Sequence, residues 1–436
     1  MKLKNQLYIL IILAMILAAC APQATRTEEV NPTVEPASQI SEANVEAPAE
    51  APSQATTLQI IGPWRASEAD AFEDVLDGFR KSTGINVVYE GVDDVLGPLT
   101  TRVAAGTPPD LAILPVAKGL LDLHSQNALI PLDPFMDEIK ANFSAGWIDQ
   151  FTLDGQVYAI PMRANINNCF WFNPEVVGTP PTSWPAFTSY CDSVAADGMS
   201  CTAGLGKDTW TLNVLFQSIY IATHGLEKYN AMTSGEIPLN DPSVVEVFNR
   251  ITTFYGDKYV AGGSVGALGT GLVDGIALVF GTNPTAQFVN AGSWANGIAV
   301  GAVNENLVEG ETIDYILFPG ESVGEGAIIA AADVAVMLVD SPEARQLMSY
   351  LISAEGQALF APNGYTVANK NVDSALYSGL AVKTARLLAE SAVGPDISAV
   401  MTNEVVSLIN EAVAAAILSP DNVQAILDDL QANSGK

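Results

Sequence analysis

A chain of 436 residues with 49 acidic and 19 basic side chains carries a formal charge of −30 at pH 7. A surface that acidic repels nucleic acid and anionic lipid headgroups, so neither is an expected partner, and a neutral or cationic ligand fits better. The length exceeds what one simple core organises and points to two lobes.

The N-terminus combines a basic start (Lys2, Lys4), an aliphatic run over 7–17 and the tetrapeptide Leu17-Ala18-Ala19-Cys20. The run is too short to span a bilayer and reads as the core of a signal peptide over 1–19. Small residues before a lone cysteine spell a lipobox. It implies lipidation of Cys20 and anchoring to the outer face of a bacterial cytoplasmic membrane; the other reading is an ordinary secretory signal with a chance cysteine. Residues 20–57 follow with Pro22, Pro32, Pro36, Pro48 and Pro52, six glutamates, Arg26 and no aromatic. Such a segment cannot bury enough surface to offset its ordering entropy and is expected to be a disordered tether.

The body begins with an apolar strand over 58–61. Ser67 offers a helix N-cap with Asp70 three residues on, and Phe72, Val75, Leu76 and Phe79 follow at helical spacing. Gly84 ends that helix, a strand follows over 85–89, and a second helix over 94–105 stops at Gly106. Pro108-Pro109-Asp110 then leads into a strand over 111–114. This alternation predicts an α/β fold with a parallel sheet and right-handed crossovers. In such sheets ligands bind beyond the carboxyl ends of the strands, which here carry Gly62-Pro63-Trp64-Arg65, Gly91-Val92-Asp93-Asp94 and Pro115-Val116. Trp64 on so short a turn reads as a cleft residue or as packing against the neighbouring lobe.

Cys191 and Cys201 close a short segment in an exported chain and are expected to form a disulfide, while Cys169, within Cys169-Phe170-Trp171-Phe172, reads as a buried small hydrophobe. Asp241-Pro242, Ser341-Pro342 and Ser419-Pro420 start later helices. The apolar stretches 327–339 and 405–418 are broken by Asp333, Asn410 and Glu411, which argues against membrane spans.

Several ordered segments together resemble the family 1 solute-binding proteins of ABC sugar importers, a group that includes maltodextrin- and α-glucoside-binding receptors. They include Ala105-Gly106-Thr107-Pro108-Pro109-Asp110-Leu111, Asp154-Gly155-Gln156-Val157-Tyr158-Ala159-Ile160-Pro161, Trp171-Phe172-Asn173-Pro174 and Pro181-Thr182-Ser183-Trp184. Later come Gly225-Leu226-Glu227-Lys228-Tyr229, Ala291-Gly292-Ser293-Trp294 and Asp340-Ser341-Pro342-Glu343-Ala344. Ile237-Pro238-Leu239-Asn240-Asp241-Pro242 and Asn369-Lys370-Asn371-Val372-Asp373 look most like the α-glucoside branch. The resemblance implies a periplasmic-binding-protein-like fold: an N-terminal lobe of 58–163 plus 319–364 and a C-terminal lobe of 164–318 plus 365–436. Three crossings near 162–165, 318–320 and 363–366 would form a hinge around the ligand cleft. It implies a monomer without catalysis, cofactor or metal, which delivers sugar to permease subunits by lobe closure.

A pyranose has apolar C–H faces and a polar edge, so its site needs aromatic platforms and fixed polar groups. Trp64, Trp210 and Trp294 are the candidate platforms, with Trp294 matching a stacking position of the family. Arg65, Glu68, Asp94, Arg163 and Asn165 are candidates for the hydroxyls. Asp333 reads as a ligand contact or a solvated strand end, and Asp396 matches a family segment rich in Asp and Ser. Trp171 and Trp184 read as core. Departures from the family pattern fall at Ala399, Thr402, 165–168 and Lys207-Asp208-Thr209-Trp210, so the sugar itself is not named by the resemblance.

Two rival readings fit parts of the sequence. A solute receptor for a non-sugar ligand such as a polyamine suits the acidic charge, but Arg65 and Arg163 would repel a polycation. An exported hydrolase would use Gly262-Gly263-Ser264-Val265-Gly266 as a nucleophile elbow, yet His124 and His224 both precede Ser264.

Overall fold

The computed structural model describes residues 57–321 and 326–435, all within one compact unit. The proposed signal peptide, Cys20 and nearly all of the tether lie outside the described residues.

Among the described residues ten strands form two main sheets. In chain order they are β1 (Thr57–Gly62), β2 (Asn86–Gly91), β3 (Leu111–Leu114), β4 (Ile160–Ile166), β5 (Cys169–Phe172), β6 (Ser200–Thr202), β7 (Ala286–Ala291), β8 (Asp314–Leu317), β9 (Ile328–Met337) and β10 (Val393–Pro395). The first sheet runs β10-β9-β3-β1-β2 with β4 paired on β9, and the second runs β8-β5-β7-β6. The expected parallel arrangement holds for β2-β1-β3. It fails at β9, which runs antiparallel to both β3 and β4, so the sheet is mixed.

Local signals set the element ends. The first helix spans Ser67–Thr83 and ends at Gly84 in the left-handed region (φ 74°), where the Gly84 N–H donates to Arg80 O. Ser67 is the first helical residue rather than the cap; the capping position is Ala66, at φ 49°. The next helix is Leu96–Ala104, shorter than expected at its start. Asp241 accepts from Ser243 N to cap Pro242–Phe254, and Ser341 caps Pro342–Ile352 through Ala344 N. After Ser419 the chain makes a 3-10 turn over Pro420–Asn422 before the helix Val423–Asn433.

Two lobes joined by chain crossings follow from this order. The chain leaves the first sheet between β4 and β5, where the Asn167 N–H donates to Ile329 O, and returns between β8 and β9. A third segment lies beside β4: Ala164 N donates to Thr366 O (2.9 Å) and Thr366 Oγ1 to Ala164 O (2.7 Å). One hydrophobic core surrounds the first sheet and extends to Trp171, Val289 and Tyr315 of the second. The other face of the second sheet, with Phe170, Phe172 and Phe288, packs on the helices Trp210–Thr233, Pro242–Phe254 and Asn403–Leu418. Cys191 and Cys201 are joined by a disulfide in this second core, and Cys169 is buried and free. Among the described residues no helix is long and apolar enough to cross a membrane.

Candidate binding site between the lobes

A cavity of about 300 Å³ opens beside the chain segments 163–165 and 364–366. Glu68, Arg163, Asn165, Ser293, Trp294 and Tyr365 supply most of its chemistry. Four of the sequence candidates, Glu68, Arg163, Asn165 and Trp294, line it.

Arg163 projects from β4 and is held on all sides. Its Nη2 lies 2.8 Å from Glu68 Oε1 and 3.7 Å from Asp333 Oδ2. The guanidinium sits 5.0 Å from the Trp64 ring centroid and 4.4 Å from that of Tyr365, a cation–π sandwich. Its Nη1 is buried without a hydrogen-bond partner among the described residues. Nearby, Ser293 Oγ accepts from Ile166 N (3.1 Å) and donates to Asn165 Oδ1 (3.4 Å), which ties the loop after β7 to the first crossing.

Trp294 meets Trp210 edge-on at 5.5 Å, so the two rings form one aromatic corner. Gly292 is required for this placement: a Cβ there would lie 2.2 Å from Trp294 Nε1. Trp171 backs the cavity and is anchored by its own Nε1, which donates to Ala291 O and Gly292 O. Glu309 steadies the far wall by accepting from Asn296 Nδ2 and, at 2.6 Å, from Leu380 N at the start of the helix Leu380–Glu390.

The remaining candidates are placed elsewhere. Trp64 is 1% exposed and packs against Phe72 (4.8 Å) and Phe360 (5.5 Å), so it is no platform for a ligand. The turn does reach the core, because the Tyr89 hydroxyl accepts from Trp64 N and donates to Trp64 O, and Gly91 leaves room for that carbonyl. Arg65 is exposed and pairs with Asp93. Asp94 is exposed and accepts from Gly97 N at the start of the next helix. Trp210 is 44% exposed and reaches the cavity only through Trp294.

Asp396 is 3% exposed and fully engaged within the protein. It accepts from Asn167 Nδ2 (2.7 Å), Gln217 Nε2 (3.3 Å) and Ser398 N (2.8 Å), so it caps the short helix Ile397–Val400 rather than facing a ligand. Asp333 is neither a solvated strand end nor part of the cavity wall. Burial pushes its carboxyl up from the ordinary range, opposed by Arg163 and by hydrogen bonds from Trp64 and Val116.

The sequence reading missed Tyr365, Ser293 and Asn296. For Tyr365 a signal existed, since Gly364-Tyr365-Thr366 falls at a crossing. The hydrolase motif does not assemble: Ser264 Oγ donates to Asp257, His124 pairs with Asp154, and His224 bonds Ser243 O. Among the described residues no group of His, Cys, Asp or Glu could hold a metal ion.

Comparison with known proteins adds four findings. The model of a family described as bacterial extracellular solute-binding protein matches residues 65–358. The osmoprotective compounds-binding protein of Synechocystis is 29% identical over 343 residues, 73% of this chain and 78% of the relative. The alpha-glucosides-binding periplasmic protein of Rhizobium meliloti is 26% identical over 315 residues, 68% of each chain. Among solved structures, the bacterial solute receptor AcbH superposes with a TM-score of 0.75 at 20% identity, covering 87% of this chain and 99% of its own.

Proposed function

Because the chain belongs to the family of bacterial extracellular solute-binding proteins, we propose that it serves an ABC importer by capturing a neutral saccharide, an α-glucoside or short oligosaccharide, in the cavity between its lobes. The observation that carries this reading is the pairing of the Trp294 face with the fixed polar edge of Arg163, Asn165 and Glu68. A pyranose needs that combination: an apolar platform for its C–H face and donors and acceptors for its rim. A volume of about 300 Å³ sits at the small end of ligand pockets and suits one or two sugar rings.

Local charge narrows the class. At the wall Glu68 and Arg163 form a one-to-one ion pair, which leaves no excess charge there and fits a neutral ligand better than uronates, sugar phosphates or polyamines. The two curated relatives are named for osmoprotective compounds and for alpha-glucosides, which is consistent with a small neutral glycoside.

Closure would bring 58–163 plus 319–364 against 164–318 plus 365–436, with ligand contacts favouring the closed state. Cys20, lipidated, would hold the receptor beside its permease, and residues 20–57 would be the tether. The test is calorimetric titration of the purified chain with maltose, trehalose, sucrose, galactose, raffinose, glycine betaine and spermidine. Saccharide binding supports the reading; heat from spermidine or betaine alone overturns it.

A further inference from the structure

We propose that Asp333 is a positioning residue that clamps two cleft loops and the Arg163 face into their binding geometry without touching the ligand, an assignment that rests on the saccharide reading of the cavity. Asp333 stands on β9 opposite a register shift: between the pairs Ala332↔Ala164 and Val334↔Pro161 this one residue of β9 faces two of β4, Met162 and Arg163. The extra residue lies on β4, so the bulge bends the strand that carries Arg163. Asp333 itself presents its carboxylate to the loops after β1 and β3.

Both carboxylate oxygens are used. Oδ2 accepts from Trp64 Nε1 at 2.7 Å, and Oδ1 accepts from the Val116 backbone N–H at 3.2 Å. These two contacts tie together the loops that follow β1 and β3. Each loop carries backbone strain that needs an anchor. Ala66 lies at φ 49°, Val116 at φ 51° and ψ 35°, and Ala117 at φ 56°. Left-handed backbone is costly for any residue with a Cβ and most of all for a β-branched one, and it persists only where surrounding contacts fix it.

The clamp reaches the cavity through aromatic and ionic contacts. Trp64, pinned at Nε1, forms one face of the sandwich on Arg163, and Tyr365 forms the other. Asp333 Oδ2 also stands 3.7 Å from Arg163 Nη2, while Glu68 takes the shorter ion pair at 2.8 Å. Arg163, Glu68 and Tyr365 line the cavity, whereas Asp333, Trp64 and Val116 do not. The carboxylate therefore sets the orientation of a cavity-lining guanidinium from behind.

The test compares the parent chain with Asp333→Ala and Asp333→Asn, each alone and with Val116→Gly plus Ala117→Gly. Saccharide affinity is measured by calorimetry. The Trp64 indole is followed by fluorine NMR of 5-fluorotryptophan-labelled protein, assigned with Trp64→Phe. Asp333→Ala should weaken the best saccharide at least tenfold and shift the Trp64 resonance. The glycine pair accepts left-handed backbone without a steric penalty, so it should restore the part of the affinity lost through the β3 loop while the Trp64 resonance stays shifted. A side chain that touched the sugar could not be replaced in this way. Unchanged affinity in Asp333→Ala, or a loss that the glycine pair leaves intact, overturns the assignment. Should Asp333→Ala fail to fold, Asp333→Asn carries the same comparison, since its amide can accept from only one of the two loops. If the parent binds no saccharide, the functional reading fails by itself. The clamp is then judged by the Trp64 resonance and by hydrogen-exchange protection of the Val116 amide, both of which Asp333→Ala must alter.

Discussion

Replacing Trp294 with alanine isolates the aromatic half of the site. Trp294 lines the cavity, is half-buried, and presents a ring whose other partner is Trp210, edge-on at 5.5 Å. A pyranose laid on one indole face would withdraw on the order of 60–80 Å² of apolar surface from water, about 1.5–2 kcal/mol at ~25 cal/mol/Å². Ring-geometry terms add roughly 0.5–1 kcal/mol. The expected loss is therefore about 2–3 kcal/mol, a rise in Kd of roughly 30- to 140-fold. Calorimetric titration with the tightest saccharide reads it directly, and far-UV circular dichroism checks that the fold survives. Trp210→Ala should cost less, about tenfold or below, because Trp210 acts through its neighbour and is already largely solvated. A change under threefold for Trp294→Ala in a folded protein would refute the stacking argument and move the apolar face of the site elsewhere.

Arg163→Lys should weaken saccharide binding by at least about tenfold despite retaining the charge, because an ammonium has neither the planar fork nor the faces that Trp64 and Tyr365 hold; the same titration checks it. Removing the disulfide with Cys191→Ala and Cys201→Ala reopens a short loop, sequence separation 10, and should cost about 3 kcal/mol of stability by the loop-closure estimate. Denaturant melts should register that loss while saccharide affinity stays unchanged. His224 gives a pH prediction. Burial lowers its pKa below the ordinary 6.5, outweighing Glu246 and the Ser243 carbonyl, so the unfolded chain takes up that proton first as pH falls. Stability should therefore fall from pH 7 towards 5, and His224→Gln should flatten that slope in denaturant melts at each pH; an unaltered slope would refute it. Asp333, whose carboxyl is raised by burial, contributes with the opposite sign, so the comparison is of His224→Gln with the parent at each pH.

Local pattern carried the first half of the N-terminal lobe. The alternation of apolar strand and amphipathic helix located β1, β2 and β3 to within a residue or two, and β3 fell on Leu111–Leu114 as expected. Aspartate and serine before proline located two later helices, because capping is settled within a few residues of chain. The direction of β9 was not legible, since no short-range feature says whether a strand pairs parallel or antiparallel with a partner more than two hundred residues away.

The site divided along the same line. Residue type and setting marked Trp64 and Asp333 as special, and the family resemblance marked Asp396; each is, because a tryptophan on a turn and two buried carboxylates all need partners. What residue type could not tell is whether the partner is a ligand or the protein. Trp64 finds Asp333 across 269 positions, and Asp396 finds Asn167 and Gln217 across 229 and 179. Such pairings are fixed by tertiary packing alone. A buried charge whose hydrogen-bonding capacity is met by backbone and side chains has little left to offer a sugar, whereas Arg163, held by two rings and two carboxylates, still carries a donor at Nη1 with no protein partner among the described residues. That unspent capacity separates the residues of this fold that would bind from those that hold the binders in place.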